Sequence, residues 1–196
     1  MHDTPEVAVL RLGHRPGRDE RMTTHVGLTA RALGADRVIL AGQAVSRRDT
    51  IEDITERFGS PFAVEETDSP MGIVRNWEGI VVHLTMYGLP VQEHEAEIRA
   101  DFEDGTELLV VVGAEKVPFS VYEHADYNLA VTNQPHSEVA SLAVFLDRLF
   151  EGRELDREWE DADRVVVPKE TGKRVVDPND EDASGDGSCE RRGREG

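Results

Sequence analysis

Cysteine is almost missing from this chain of 196 residues. The one present, Cys189, stands in a polar tail, which excludes a disulfide framework and a cysteine metal site. Lysine is scarce too: Lys116, Lys169 and Lys173 are three of 22 basic residues. No apolar run approaches membrane-spanning length. The opening MHDTPEVAVLRLG lacks a basic region followed by a long apolar one, so no secretory signal is expected, and a soluble cytoplasmic protein is. Neither GxGxxG nor GxxxxGK[ST] occurs, which argues against a phosphate-cradling nucleotide site. The seven histidines form no HExxH or HxH pair, so no metal is expected, and most of them read as exposed or capping. No GxSxG elbow occurs, and His136 beside Ser137 at a helix start does not make a hydrolase pair.

What the chain has in excess is acid. Forty Asp and Glu against 22 Lys and Arg give a formal net charge of −18. Such an excess is ordinarily a solvated surface or an acidic tail, and nucleic-acid binders are usually basic. Here the acid runs along the whole chain, the composition of a protein from a salt-saturated cytoplasm. At about 1 M salt the Debye length is about 3 Å, so a global negative field no longer repels a polyanion at a distance. RNA is not excluded, but any RNA contact must rest on local arginines. Residues 13–21 gather His14, Arg15, Arg18 and Arg21, and Arg47-Arg48 form a second basic spot. Each reads either as a grip on RNA phosphates or as surface charge.

Hydrophobic periodicity predicts the elements. Residues 6–12 and 36–41 read as strands, and between them Thr23 or Thr24 caps a helix that Gly34 ends. A helix over 49–58, capped by Asp49 or Thr50, leads to a strand over 61–65. Ser69 as N-cap and Pro70 at the first helical position open a helix over 69–78. A strand over 79–84, a loop over 85–90 and a helix over 91–102 follow. Strands over 108–112 and 128–131 precede a last helix over 137–150, capped by Ser137, with Val139, Leu142, Ala143, Leu146 and Leu149 on one face. Residues 164–168 read as one more short strand. This alternation predicts an α/β fold with a mostly parallel sheet covered on both faces. One domain over 1–176 is expected, with a tail over 177–196 too poor in apolar surface to order.

Two of these strands end in loops suited to close backbone approach. Residues 108–112 run into Gly113-Ala114-Glu115-Lys116-Val117-Pro118, and residues 128–131 run into Thr132-Asn133-Gln134-Pro135. Ligands sit beyond the carboxyl ends of strands in α/β sheets, so these loops placed side by side would form one cradle. The opening LRLGHRPGRDERMTTHVGLTARALGA, the segment GAEKVP and the stretch DYNLAVTNQPHSEVASLAVFLDRL together resemble the archaeal tRNA 2′-O-methyltransferases that modify cytidine 56 in the T-loop. That family lies within the SPOUT superfamily of knotted methyltransferases, and the likeness spans about residues 7–176.

The resemblance implies a trefoil knot near the carboxyl end, a homodimer, a tRNA substrate and S-adenosylmethionine as cofactor. It places the cofactor against Leu84, against Gly113, Ala114, Glu115, Lys116 and Val117, and against Val131, Thr132, Asn133, Gln134, Pro135, His136, Ser137 and Glu138. Backbone groups there can read the adenine edge while Leu84 and Val117 pack its face. Taken alone, Gly113 reads as a turn glycine and Leu84 as core. The resemblance also implies that an arginine after the first strand serves the ribose 2′-hydroxyl. Arg21 is the candidate, with His25 as an alternative base or a structural histidine on the inner side of the helix. Arg15, Arg18, Arg47 and Arg48 are the candidate RNA contacts. The rival readings are a methyltransferase of this fold acting at another RNA position and an inactive RNA-binding protein.

Overall fold

Successive side chains of a strand point to opposite faces of its sheet, and a strand covered on both faces is apolar throughout. The sequence VAVLRL meets this condition, and β1 (Val7–Leu12) is buried at every residue. The computed structural model describes residues 5–13, 20–42, 45–113 and 117–179. Arg15, Arg18, Ala114, Glu115, Lys116 and the tail from residue 180 onward lie outside the described residues.

The elements in order are β1, α1 (Glu20–Ala32), β2 (Arg37–Ala41), α2 (Val45–Phe58), β3 (Ala63–Thr67), α3 (Pro70–Asn76) and β4 (Ile80–Pro90). Then come α4 (Glu95–Glu103), β5 (Leu108–Gly113), α5 (Phe119–His124), β6 (Tyr127–Ala130) and α6 (Glu138–Phe150). A small antiparallel pair, β7 (Val165–Val166) and β8 (Val175–Val176), follows. Six strands form one sheet in the order β3-β2-β1-β5-β4-β6, and every pairing within it is parallel. The expected α/β fold with a parallel sheet is the one found.

Strand parity divides the core in two. Val7, Val9, Val38, Leu40, Val82, Val110 and Val112 face α1, α2, α4 and α6. Ala8, Leu10, Ile39, Val81, Leu109 and Val111 face α3 and α5. On α6, Leu142, Leu146 and Leu149 are buried as the apolar period predicted, joined by Phe145. Ser137 is the N-cap, its Oγ accepting from Ala140 N at 3.2 Å.

Several boundaries differ from expectation, each for a physical reason. Helix α1 starts at Glu20, so Thr23 is a buried residue inside the helix and not its cap. Helix α2 starts at Val45, which puts Arg47 and Arg48 on its first turns; Arg48 pairs with Glu52 one turn on, at 2.7 Å. Ser69 does sit at the N-cap of α3, yet its hydroxyl makes no capping bond. Residues 119–124 fold as α5, a helix of six residues that is too short for an apolar period to reveal. Strand β4 runs past residue 84: both Leu84 and Leu89 lie in register with Leu129 of β6, so residues 85–88 loop out of the ladder.

Replacing Leu146, which is fully buried on α6, with Ala is expected to cost about 2–5 kcal/mol of stability, read from urea unfolding. A loss below about 0.5 kcal/mol would contradict the packing described here.

Candidate active site

The loop-out of β4 lies hard against β6. A Cβ at Gly88 would come within 2.4 Å of the Asn128 carbonyl oxygen and 2.6 Å of the Leu129 carbonyl carbon. Those are backbone atoms, so only glycine fits. From the other side, Asn133 in the loop after β6 donates through Nδ2 to the carbonyls of Met86 at 2.8 Å and Gly88 at 3.0 Å. The loops after β4 and β6 are therefore bound to one another.

Strand β5, which leads into the third loop, lies between β1 and β4. At its end, a Cβ on Gly113 would stand 2.2 Å from Val117 Cγ2. A side chain at residue 113 would have to displace that Val117 methyl. Leu84 is buried at the β4 end, and Val117 packs on the α3/α5 side of the core. Thr132, Asn133, Gln134 and Pro135 are exposed, and Val131 and His136 half-buried. His136 Nδ1 lies 2.7 Å from the Gln134 carbonyl, which folds the loop back on itself.

Arg11 is a residue that the sequence reading passed over. It is 1% exposed at the end of β1, with Nη1 donating to Leu12 O at 2.7 Å and Nη2 2.9 Å from Glu138 Oε1. This pair ties the first turn of α6 to the end of β1. It also occupies the Glu138 carboxylate, one of the residues expected at the cofactor. The second missed residue is His83, wholly buried on β4. The Asn128 amide orients by donating from Nδ2 to Tyr122 O at 2.9 Å, which turns Asn128 Oδ1 toward His83 Nδ1 at 2.8 Å. The imidazole therefore carries its proton on Nδ1. Burial pulls its pKa below the ordinary 6.5, with the Asn128 bond opposing in part. A polar residue inside an apolar strand was the available signal for both Arg11 and His83.

Arg21 and His25 are exposed on α1. His25 does not face inward as one of the two expectations had it; it lines a groove with Leu28, Thr29, Ala32, Val139 and Ala143. That groove places α1 beside the start of α6, directly after the 131–137 loop. Arg47 and Arg48 do not join this region, because α2 packs on α1 and on β3 at the opposite sheet edge. Among the described residues no group of three or more His, Cys, Asp or Glu is placed to hold a metal, and no helix is long and apolar enough to cross a membrane.

Comparison with solved structures defines the class. The chain has the fold of the SpoU/TrmH methyltransferases. It matches the TrmH/SpoU tRNA modifying enzyme of A. aeolicus with a TM-score of 0.54 at 12% identity, over 78% of this chain and 77% of that one. It matches the SpoU methyltransferase AviRb of Streptomyces viridochromogenes, solved with its cofactor AdoMet, with a TM-score of 0.53 at 17% identity, over 78% of this chain and 59% of that one. Sequence sharpens this to a family. The model described as tRNA ribose 2′-O-methyltransferase, aTrm56, matches residues 58–176, and the chain belongs to that family. The tRNA (cytidine(56)-2′-O)-methyltransferase of Haloarcula marismortui is 73% identical over 92% of this chain and 100% of that protein. That of Thermococcus kodakarensis is 54% identical over 87% and 96%.

Because folding lowers the His83 pKa, the unfolded chain binds more protons as pH falls below about 6.5. His83 therefore lends full stability above that pH and loses it progressively toward the lower folded value. Urea unfolding from pH 7.5 to 5 checks this: the fall in stability is expected to be shallower in His83→Phe. An identical slope in both proteins would place the titration elsewhere.

Proposed function

We propose that this chain transfers a methyl group from S-adenosylmethionine to the ribose 2′-hydroxyl of cytidine 56 in the T-loop of tRNA. The observation that carries this is the binding of the β4 excursion to the loop after β6, in a chain 73% identical to a protein of that description. The residues present fit the cofactor: Leu84 and Val117 are apolar groups beside the loops, Gly88 lets the β4 excursion lie against the β6 backbone, and residues 131–137 offer exposed polar groups. Val131 to Glu138, with the Gly113–Val117 loop, hold the cofactor in this reading, and Ala114, Glu115 and Lys116 complete that loop. S-adenosylmethionine supplies an electrophilic methyl group on a positively charged sulfur.

The 2′-oxygen is a weak nucleophile until its proton is lost or its developing charge is offset. Arg21 is a permanent cation, exposed on the first turn of α1. It orients the ribose or its phosphate and offsets that charge. The oxygen–methyl bond forms as the sulfur–methyl bond breaks, and the hydroxyl proton passes to solvent or to His25. No metal takes part. Arg15 and Arg18, with Arg21, grip the T-loop phosphates; Arg47 and Arg48, on α2 toward the opposite sheet edge, stand apart from that contact. The enzyme works in the cytoplasm.

The same reading includes the knot and the dimer. Helix α6 follows edge strand β6 yet packs on α4, β4 and β5. Arg99 of α4 donates through Nη2 to Arg148 O at 2.6 Å and through Nε to Leu149 O at 3.3 Å. This return of α6 from the sheet edge to pack against α4 supports the trefoil knot. The apolar groove of Leu28, Ala32, Val139 and Ala143 supports a second copy against α1 and α6.

Incubation with unmodified tRNA transcript and labelled S-adenosylmethionine in molar KCl is expected to put the label on the ribose of cytidine 56. Label on a base or at another nucleotide would overturn the assignment, and no label would favour an RNA-binding protein. Arg21→Ala is expected to lower kcat about 100-fold while leaving cofactor affinity close to that of the parent. Sedimentation equilibrium is expected to give twice the chain mass of 21.8 kDa, and Ala143→Glu to give monomer; a monomeric parent would contradict the dimer.

A further inference from the structure

We propose that His83 is a positioning residue of the cofactor cradle, the hub of a buried polar ring that locks the β4 excursion, α5 and β6 to one another. The proposal rests on the cofactor reading of the preceding section.

The ring can be followed atom by atom. His83 Nδ1 donates to Asn128 Oδ1 at 2.8 Å, joining β4 to β6. Asn128 Nδ2 donates to the Tyr122 carbonyl at 2.9 Å, joining β6 to α5. Tyr122 Oη lies 3.2 Å from Thr85 Oγ1, joining α5 to the first residue of the β4 loop-out. The Tyr122 ring returns to His83 edge-on, with centroids 4.6 Å apart and planes at 90°. Thr85 Oγ1 also accepts from Tyr87 N at 3.4 Å, so the ring reaches into the loop itself.

The four members come from three segments: His83 and Thr85 from β4, Tyr122 from α5 and Asn128 from β6. Thr85 begins the loop after β4. Tyr122 lies on the helix that the loop after β5 enters. Asn128 lies on β6, two residues before Ala130 ends that strand. The ring lies on the α3/α5 side of the sheet, beneath the contact of Asn133 with Met86 and Gly88. A hydrocarbon would fill the volume of His83, but it could not fix the Asn128 amide or, through it, the carbonyl end of α5. Buried polar rings of this kind hold one geometry among several of similar packing. His83 Nε2 has no hydrogen-bond partner among the described residues, so the ring holds only with the neutral, Nδ1-protonated imidazole.

The test compares the parent enzyme with His83→Phe, which keeps a ring of similar size, and with Tyr122→Phe, which removes only the hydroxyl that reaches Thr85. Steady-state kinetics with tRNA saturating give KM for S-adenosylmethionine and kcat; a thermal melt reports folding. Loss of a buried hydrogen bond predicts a KM for S-adenosylmethionine about tenfold higher in His83→Phe. Tyr122→Phe is expected to raise it less. In both, kcat and KM for tRNA stay near the parent values. A merely structural role would lower kcat through loss of active molecules at unchanged KM, and that result overturns the proposal. If His83→Phe does not fold, Tyr122→Phe decides: an unchanged KM sinks the ring. A parent enzyme that does not bind S-adenosylmethionine sinks the cofactor reading and this proposal together, whereas active variants with parental KM sink the ring alone.

Discussion

Between Leu84 and Leu89 the chain leaves the β4 ladder and presses against the backbone of β6 so closely that residue 88 has no space for a side chain. Asn133 then reaches across and binds two carbonyls of the same excursion. Most of the site follows from this contact. Because Gly88 meets backbone atoms, no repacking of side chains can relieve a substitution there. Because the two bonds from Asn133 end on main-chain oxygens, the relation between the loops does not depend on the side chains of Met86 or Tyr87. A cradle made this way is set by chain path, and the helix that follows it, α6, starts where the path leaves it. The Arg11–Glu138 pair holds that start against the end of β1.

Charge is arranged in keeping with this. A net charge of −18 leaves few cations for RNA. Several of the described arginines are engaged internally: Arg11 with Glu138, Arg37 with Glu6 and Glu65, Arg48 with Glu52, Arg99 with Glu151 and the end of α6. Arg21 is exposed at the start of α1, on the side of the molecule where α1 meets α6. In an acidic protein a cation placed there acts locally, and high salt confines the repulsion of the remaining surface to a few ångströms.

Much of this was legible in the sequence where the signal is local. The strands read over 6–12 and 108–112, the Ser137 cap and the apolar stripe of α6 all follow from spacing and residue type, and each is found in the fold. The strand order was not legible, since β5 inserts between β1 and β4 by pairings far apart in sequence. The starts of α1 and α2 were misplaced because arginine-rich and acid-rich turns look like loop until a helix packs behind them. Helix α5 was missed for its length. The excursion of β4 read as an ordinary loop, and its glycine gave no hint that β6 lay against it. Arg11 and His83 carried a signal that went unused: a polar residue inside a run of buried apolar ones needs partners, and those partners, Glu138 and Asn128, come from distant parts of the chain.

The central claim is that the loops after β4, β5 and β6 act as a single pocket for S-adenosylmethionine. Amide hydrogen exchange, followed with and without that cofactor in molar KCl, tests it most directly. The account predicts that exchange slows together in residues 84–90, around Gly113 and in residues 131–137, with little change in α2. Slowing confined to one of these stretches, or found only outside them, would contradict it.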